Sequence, residues 1–253
     1  MKPARIDILG VPVDCVSMAA AVDVVDEMVS GSHPGAIIAV NPEKVMKARQ
    51  DPVLLAQLRA AALLIPDGIG IVGAARLLGL ARMERVAGVD LMMALCERAA
   101  ARGYRMFLYG AAPDVNAAAN AALSATWPGL QIVGRQHGFL PAEGMPGLVA
   151  AINESNAEIL LIALGSPRQE QWMTEHLPAL RVKVCQGVGG SFDVLTGTVR
   201  RAPATWRALN LEWAYRLLSQ PQRLLRQTAL PRFAWLVLCD WLARTLRRIR
   251  PGS

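Results

Sequence analysis

Residues 159–193 read ILLIALGSPRQEQWMTEHLPALRVKVCQGVGGSFD, and this stretch contains one complete unit of the predicted fold. It begins with a continuous apolar run at 159–164 and has a second run at 182–185. Continuous rather than alternating apolarity is typical of strands in a parallel sheet that is covered on both faces. The intervening segment 168–177 has helical length, and a glycine-rich loop, 187–193, follows the second run. The pattern predicts a strand, a crossover helix and a parallel strand, followed by a loop that allows close approach of a ligand.

The same alternation extends over residues 35–199. Further apolar runs of strand length occur at 36–40, 62–65, 106–109 and 130–133. Ala- and Leu-rich segments of helical length occur at 43–61, 69–80, 89–102, 114–126 and 142–155. Six strands separated by helices predict an α/β fold with a Rossmann-like, doubly wound, mostly parallel sheet. Ahead of it we expect a short strand at 6–9, a turn at 10–12 and an amphipathic helix at 17–29.

The composition divides the chain into two parts. Hydrophobic residues make up 53% and charged residues 19% of the 253 residues, which excludes a disordered or fibrous chain. Residues 200–253 carry eleven arginines against two acids, whereas residues 1–199 carry 16 basic and 18 acidic side chains. The net charge of +7 therefore belongs to the C-terminal segment, and such an asymmetry indicates a separate anionic partner. We expect a Rossmann-like domain over 1–199 and a basic, helical appendage over 200–253.

The appendage has the composition of a membrane-surface binder. Its predicted helices are 203–219, 221–228 and 230–249, and it contains four of the six tryptophans. Trp and Arg together on amphipathic helices favour interfacial membrane contact over nucleic-acid binding, and inward packing of the tryptophans is the alternative. Eleven residues separate Arg232 from Arg244, so the apolar stretch spans roughly 17 Å of helix, short of the roughly 30 Å hydrocarbon core. The sequence thus predicts a peripheral rather than a spanning association.

The cysteines and histidines predict neither a disulfide framework nor a metal site. Cys15, Cys96, Cys185 and Cys239 are widely spaced in apolar contexts without a CxxC pair, and the three histidines are scattered. We expect four buried, reduced thiols in a cytosolic protein. The N-terminal residues show no long apolar stretch, so no signal peptide is expected.

Polar residues follow three of the predicted strands and predict a ligand site. Asn41, Asp67 and Ser166 occupy positions suited to helix capping, and Asn41 and Ser166 are followed by proline. If the strands are parallel, the three helix N-termini gather at one edge of the sheet and form a site for a diphosphate. Four further polar residues fall in loops or at helix starts of the same kind, namely Arg85, Arg168, Gln169 and Asp193. These four residues, together with Asn41, Ser166 and Gly189 of the glycine-rich loop, form the predicted substrate-binding set at the strand ends.

A second pattern offers a different function. Residues 68–73 read GIGIVG, a GxGxxG sequence after a strand, with Asp90 about 20 residues further on, which is the fingerprint of dinucleotide binding. Pro66 and Asp67 crowd the turn, and the pattern falls on the second core strand. An NAD(P)-dependent oxidoreductase is therefore the alternative to the enzyme class that the remaining motifs indicate.

Taken in order, the motifs resemble the WecG/TagA/CpsF glycosyltransferase family (glycosyltransferase family 26) over nearly the whole chain. The segments that carry the resemblance are Asn41–Val45, Pro66–Gly70, Arg85–Leu91, Phe107–Gly110, Leu164–Glu170, Gly187–Asp193, Arg200–Pro203, Leu211–Trp213, Arg216–Leu217 and Pro221–Arg223. The resemblance implies inverting transfer of a sugar from a UDP-sugar to an undecaprenyl-diphosphate-linked saccharide in cell-surface or exopolysaccharide biosynthesis. It also implies a peripheral location on the cytoplasmic face of the bacterial inner membrane, and a homo-oligomer is compatible with it. A non-catalytic membrane protein that binds UDP-sugars is the alternative binding module.

The resemblance also implies roles for individual residues. Asp67 corresponds to the general base, and Asn41, Arg85, Gln169 and Asp193 correspond to the substrate pocket. The tail arginines Arg216, Arg223 and Arg226 correspond to residues that close over the diphosphate at the membrane. Ala39 stands where the family often has threonine, which leaves the sugar open between a hexose such as glucose and an N-acetylhexosamine such as N-acetylmannosamine. No Asp-x-Asp occurs in the chain, so we expect arginines and helix N-termini, without a metal or other cofactor, to neutralise the diphosphate.

Overall fold

The apolar runs form one parallel sheet in the computed structural model, which describes residues 3–203, 205–206, 212–219 and 228–249. The strands are β1 Arg5–Ile8, β2 Val11–Asp14, β3 Gly35–Val40, β4 Leu63–Pro66, β5 Arg105–Gly110, β6 Gln131–Gln136, β7 Ile159–Ala163 and β8 Val184–Gly187. Strands β3 to β8 make a six-stranded sheet in the order β4-β3-β8-β7-β5-β6, and every pair in it is parallel. The predicted Rossmann-like α/β sheet is confirmed.

Helices cover both faces of this sheet. They are α1 Met18–Val29, α2 Pro42–Ala48, α3 Pro52–Ala60, α4 Ile69–Leu77, α5 Gly88–Arg102, α6 Pro113–Thr126, α7 Met145–Glu154, α8 Arg168–His176, α9 Ser191–Leu195, α10 Glu212–Ser219 and α11 Ala229–Ile249. One buried cluster lies under α2, α3, α4, α7, α8 and α11, and a second lies under α1, α5, α6 and α9. In the inner strands of the sheet, alternate residues join opposite clusters: Ile38 of β3 joins the first and Ile37 the second. Burial on both faces is why these inner strands are predominantly apolar, whereas no residue of the edge strand β6 is buried.

Two local predictions are wrong, and both errors arise at turns. The segment predicted as one helix over 43–61 is two helices, because Asp51 caps α3 by accepting a hydrogen bond from the Leu54 N–H at 3.0 Å, with Pro52 at the first helical position. The turn predicted at 10–12 lies instead at Leu9–Gly10, where Gly10 has φ +89°, and the following residues form β2, antiparallel to β1. The glycine permits this positive φ at no steric cost.

The β1–β2 hairpin covers the outer edge of β4. Asp14, which is almost fully buried, accepts a hydrogen bond from the Leu64 backbone N–H at 2.8 Å. Both of its carboxylate oxygens also accept hydrogen bonds from the Arg5 guanidinium, at 2.7 and 2.8 Å. A carboxylate thus satisfies a donor of an edge strand, which reduces the tendency of that edge to pair with another chain.

The C-terminal helix α11 packs on the domain through one side only. Phe233 and Val237 are buried in the cluster shared with α2 and α4. Trp235, Leu238, Leu242 and Leu246 are exposed. At 100° per residue these four lie within an arc of about 80°, opposite to Phe233 and Val237. Among the residues that the structure describes, no helix combines the length and apolarity needed to cross a bilayer.

The other tail predictions meet mixed outcomes. Helical residues occur within the predicted 203–219 and 230–249 segments, whereas the predicted helix 221–228 falls almost wholly outside the described residues. Trp241 packs partly against the core and Trp206 lies edge-on to Tyr215, with 5.8 Å between ring centroids, so inward packing holds for some of the tryptophans.

The prediction of four buried thiols is wrong for Cys239, which is exposed on α11, and only partly right for the half-buried Cys15. Burial raises the pKa of the Cys96 thiol to about 12.

Candidate active site

The strand order brings the predicted site residues to one edge of the sheet. Strands β4, β3, β8 and β7 are consecutive neighbours, and Val40 of β3 lies opposite Pro66 of β4 in register. Asn41 and Asp67 therefore follow directly from adjacent strand ends, and the Asp67 N–H donates to the Val40 carbonyl at 2.8 Å. The glycine-rich loop leaves β8 between β3 and β7. The predicted gathering of polar strand ends is confirmed, as expected for the carboxyl edge of an open parallel sheet.

Asn41 is an N-cap, as predicted. Its side-chain oxygen accepts a hydrogen bond from the Lys44 N–H at 2.8 Å, and Pro42 takes the first helical position of α2. One free amide of the helix start is thereby satisfied. Asn41 itself remains half-buried at the sheet edge.

Asp67 and Ser166 are not helix caps, which corrects their predicted local role. The N-cap of α4 is Gly68, whose φ of +96° turns the chain after Asp67, and α4 begins at Ile69. The N-cap of α8 is Pro167, so Ser166 precedes the helix and is exposed. Neither helix has a side-chain cap hydrogen bond. The half-buried Asp67 carboxylate thus lies at the end of β4 without capping α4.

A buried polar network connects the ends of β3, β8 and β7. The Lys44 ammonium donates to Glu170 Oε1 at 2.5 Å, and the same oxygen accepts from Gln169 Nε2 at 3.2 Å. At its other end the Gln169 amide accepts, through Oε1, a hydrogen bond from the Gly189 N–H at 2.9 Å. Gln169 is 3% exposed, so the predicted pocket residue lies beneath the loop that it holds.

The glycine-rich loop fits closely around this network. A β-carbon at Gly187 would lie 2.6 Å from Gln169 Nε2, so a larger residue there would displace the amide. Gly189 has φ +57°, a conformation that favours glycine. A β-carbon at Gly190 would lie 3.7 Å from Asp193 Oδ2, which places the half-buried Asp193 in the first turn of α9 beside the loop. Gly189, Gln169 and Asp193 therefore form one local group, as predicted.

Arg85 is held by the C-terminal segment. Its Nη2 donates to Glu212 Oε2 at 2.6 Å, and Glu212 also lies 4.0 Å from Arg201 Nε. Arg201 in turn donates to Asp90 Oδ1 at 2.6 Å. The next residue, Val86, donates its N–H to the Pro66 carbonyl at 2.9 Å, so the Arg85 loop lies beside the end of β4. Arg85 thus lies near the end of β4 and is joined to α10 by an ion pair.

The remaining predicted residues are Arg168 and three arginines of the C-terminal segment. Arg168 is exposed at the first position of α8; its charge partly offsets the effect of burial, which raises the pKa of Tyr109. Arg216 lies on α10, where the structure describes its backbone alone. Arg223 and Arg226 lie outside the described residues.

Two features of the site escaped the sequence analysis. Lys44 and Glu170 lie within quoted motifs but were assigned no role, because α2 and α8 carry other charged residues and nothing in the sequence distinguishes these two positions. Glu212 was likewise assigned no role, yet it is one of two acids among the eleven arginines of residues 200–253. An acid in such surroundings is the expected partner of an arginine.

Glu212→Gln is expected to weaken the attachment of the tail. The substitution keeps the side-chain shape but removes the negative charge between Arg85 and Arg201. We expect the free energy of unfolding to fall by about 1.5–3 kcal/mol, the range for hydrogen bonds to charged groups. Denaturant unfolding measures it, with Glu175→Gln, an exposed helix glutamate, as control. A stability equal to the parent's would contradict the role of Glu212, and a double-mutant cycle with Arg85→Met isolates the pair.

The dinucleotide alternative fits the structure poorly. In that fingerprint the second glycine lets the backbone approach a pyrophosphate. Here a β-carbon at the corresponding Gly70 would lie 2.7 Å from Pro42 Cγ and 3.8 Å from Phe233, so protein already fills that space. The glycine at position 70 is explained by helix packing.

Two cavities lie away from the strand ends. One of about 610 Å³ runs between edge strand β6 and α7, and another of about 290 Å³ lies between α3 and α8 and reaches Glu170. Neither is lined by Asn41, Asp67 or Asp193. Across the described part of the chain, no three His, Cys, Asp or Glu side chains gather as metal ligands would. The candidate site is accordingly defined by the converging strand ends.

Comparison with known families gives one match. The model of the glycosyl transferase WecG/TagA/CpsF family matches residues 6–247 of the 253-residue chain. The match covers the sheet, the four converging strand ends and both described tail helices.

Proposed function

Because the chain belongs to the WecG/TagA/CpsF glycosyltransferase family, and is therefore a glycosyltransferase, we propose that it transfers a sugar from a UDP-sugar to an undecaprenyl-diphosphate-linked saccharide with inversion. One observation carries the proposal. A half-buried carboxylate, Asp67, lies at the same sheet edge as the N-terminus of α2 and the Gly189–Gly190 turn. Such a reaction requires a base for the acceptor hydroxyl and hydrogen-bond donors for the diphosphate.

The proposed reaction is a single displacement at the anomeric carbon. The acceptor hydroxyl oxygen forms a bond to this carbon while the bond to the UDP oxygen breaks, and UDP leaves with the electron pair. Asp67 accepts the proton of the attacking hydroxyl. Backbone N–H groups of the glycine-rich loop, with Arg85 and Arg168, stabilise the charge on the diphosphate without a metal. Asn41, Ser166 and Asp193 contact the sugar and the nucleotide.

The tail is proposed to hold the enzyme on the cytoplasmic face of the inner membrane. The stripe of Trp235, Leu238, Leu242 and Leu246 offers an apolar surface, and the exposed Arg232 and Arg247 flank it. Such a helix lies in the interface with its apolar face inserted and its arginines near anionic headgroups. Because α11 packs on α2 and α4, it lies next to the helices that follow Asn41 and Asp67, with the stripe on its outward side. Arg216, Arg223 and Arg226 are proposed to reach the diphosphate from this side.

A panel of UDP-sugars, each offered with a short-chain glucose- or GlcNAc-diphosphate lipid, tests the proposal. We expect one donor class to give a product one sugar heavier, detected by mass spectrometry. Its anomeric configuration, measured by NMR, should be opposite to that of the donor, and EDTA should leave the rate unchanged.

Four results of these experiments would each contradict a different part of the proposal. Binding of UDP without transfer to either acceptor would favour the non-catalytic alternative. Retained anomeric configuration would contradict the single displacement, and loss of activity with EDTA would contradict catalysis without a metal. A thermal shift with NAD(P) but not with UDP would favour the oxidoreductase.

A further inference from the structure

We propose that the buried Lys44–Glu170 ion pair is a positioning device: it fixes the side-chain amide of Gln169 and, through this amide, the conformation of the Gly189–Gly190 turn. The inference rests on the proposed function, because that function assigns the turn to the leaving diphosphate. Lys44 and Glu170 are positioning residues in this proposal, and neither touches the reacting atoms.

The burial of the pair is the first argument. Lys44 is 7% exposed and Glu170 is fully buried, and the two charged atoms lie 2.5 Å apart. The second carboxylate oxygen of Glu170 has no hydrogen-bond partner among the described residues. Removing two charges from water costs free energy that their attraction often does not recover, and apolar residues of similar size commonly serve stability as well or better. Stability alone therefore does not account for charges at these two positions.

The location of the pair is the second argument. Lys44 lies on α2, which follows β3, and Glu170 lies on α8, which follows β7. These strands are not neighbours, because β8 lies between them. The pair thus joins two helices across the end of the strand from which the glycine-rich loop departs.

The chemistry of the amide is the third argument. An ionised carboxylate only accepts hydrogen bonds, so Glu170 requires the NH₂ end of Gln169 to face it. The carbonyl of Gln169 must then point the other way, toward the Gly189 N–H that it accepts at 2.9 Å. Without Glu170 the amide could rotate by 180°, and its NH₂ group would face the Gly189 N–H with two donors opposed. Lys44 supplies the opposite charge that a buried carboxylate needs.

Replacement of both charges separates positioning from stability. We expect K44M/E170L to remain folded with a Tm at or above that of the parent. The Gly189 amide, no longer held by an oriented acceptor, should exchange its hydrogen at least about tenfold faster, because it loses its hydrogen bond. Turnover should fall at least about tenfold while KM for the lipid acceptor stays within about twofold, since an interaction made with the leaving diphosphate acts mainly in the transition state.

Two further variants make the readout specific. Glu170→Gln keeps an oxygen that can accept from Lys44 and Gln169, so the Gly189 exchange rate should return toward that of the parent. The control is R5M/D14N, which removes another ion pair of a buried carboxylate, at the β1–β2 hairpin, while the amide oxygen introduced at position 14 still offers an acceptor to the Leu64 N–H. It should change Tm and leave both Gly189 exchange and turnover at parent values.

The decisive measurement is hydrogen exchange of peptides that cover residues 184–195, which requires no substrate. If K44M/E170L leaves the Gly189 exchange rate unchanged, the proposal is overturned, whether or not turnover falls. Should that variant not fold, Gln169→Met removes the final link and must itself accelerate Gly189 exchange, or the proposal fails. Absence of sugar transfer by the parent enzyme would instead refute the proposed function and leave the exchange result interpretable.

Discussion

Asp67→Asn is expected to lower turnover at least about a hundredfold while leaving the fold intact, because the amide keeps the size of the carboxylate but cannot accept the proton of the acceptor hydroxyl. The substitution removes no helix cap. Asp67 does not cap α4, whose start is set by Gly68, so no helix depends on its charge for capping. Steady-state kinetics with a UDP-sugar and a lipid-linked acceptor give kcat, thermal unfolding reports the fold, and calorimetry reports UDP affinity.

Asp51→Asn is the matched control. Asp51 is also an aspartate that precedes a helix, but it caps α3, and asparagine caps about as well. This variant should keep normal turnover and stability. Turnover of Asp67→Asn within a few-fold of the parent would exclude a general-base role. A fall in UDP affinity as large as the fall in turnover would assign Asp67 to donor binding instead.

W235E/L242E is expected to reduce affinity for anionic vesicles at least about a hundredfold. Both side chains lie on the exposed stripe of α11, away from Phe233 and Val237, so the packing of α11 on α2 and α4 should be retained. Each large apolar side chain withheld from the interface costs about 1.5–3 kcal/mol of binding free energy, and two of them give the expected factor. Vesicle co-sedimentation at fixed salt measures it. Turnover with a membrane-embedded acceptor should fall in parallel, whereas turnover with a short-chain acceptor in solution should change little.

Phe139→Glu controls for loss of an exposed hydrophobic side chain elsewhere, since Phe139 is 74% exposed in a loop of the sheet domain. It should leave vesicle affinity unchanged. The exposed thiol of Cys239, on the same side of α11 as the stripe, provides a second readout: alkylation should be rapid in solution and slower with vesicles. Unchanged vesicle affinity of W235E/L242E, or unchanged alkylation of Cys239, would contradict membrane contact through this face.

The sequence predicted those features that depend on local signals. Continuous apolar runs predicted the parallel sheet, because strands buried on both faces cannot alternate with polar residues. Asn41 was predicted as a cap from the Asn-Pro pair alone, and the structure confirms it. The gathering of Asn41, Asp67 and the glycine-rich loop at one edge follows from parallel strand direction, which requires no knowledge of strand order.

Features that depend on distant partners were not predictable. Arg85 pairs with a residue 127 positions away and Lys44 with one 126 positions away, and no periodicity in the chain records either pairing. Residue type alone predicts that Asp67 and Ser166 are caps, yet the backbone around Gly68 and Pro167 starts each helix later. Turn geometry of this kind depends on dihedral angles that residue type alone does not determine.

The central place of β8 has a consequence for biosynthesis. Without it the sheet falls into two separate pieces, β4-β3 and β7-β5-β6, and only β8 pairs with both. Val40 at the end of β3 precedes Val184 at the start of β8 by 144 residues, so at about 5–20 residues per second the ribosome needs about 7 to 29 seconds to deliver the joining strand. Throughout this interval β3 lacks its neighbour β8, and no earlier product of translation contains the complete set of converging strand ends.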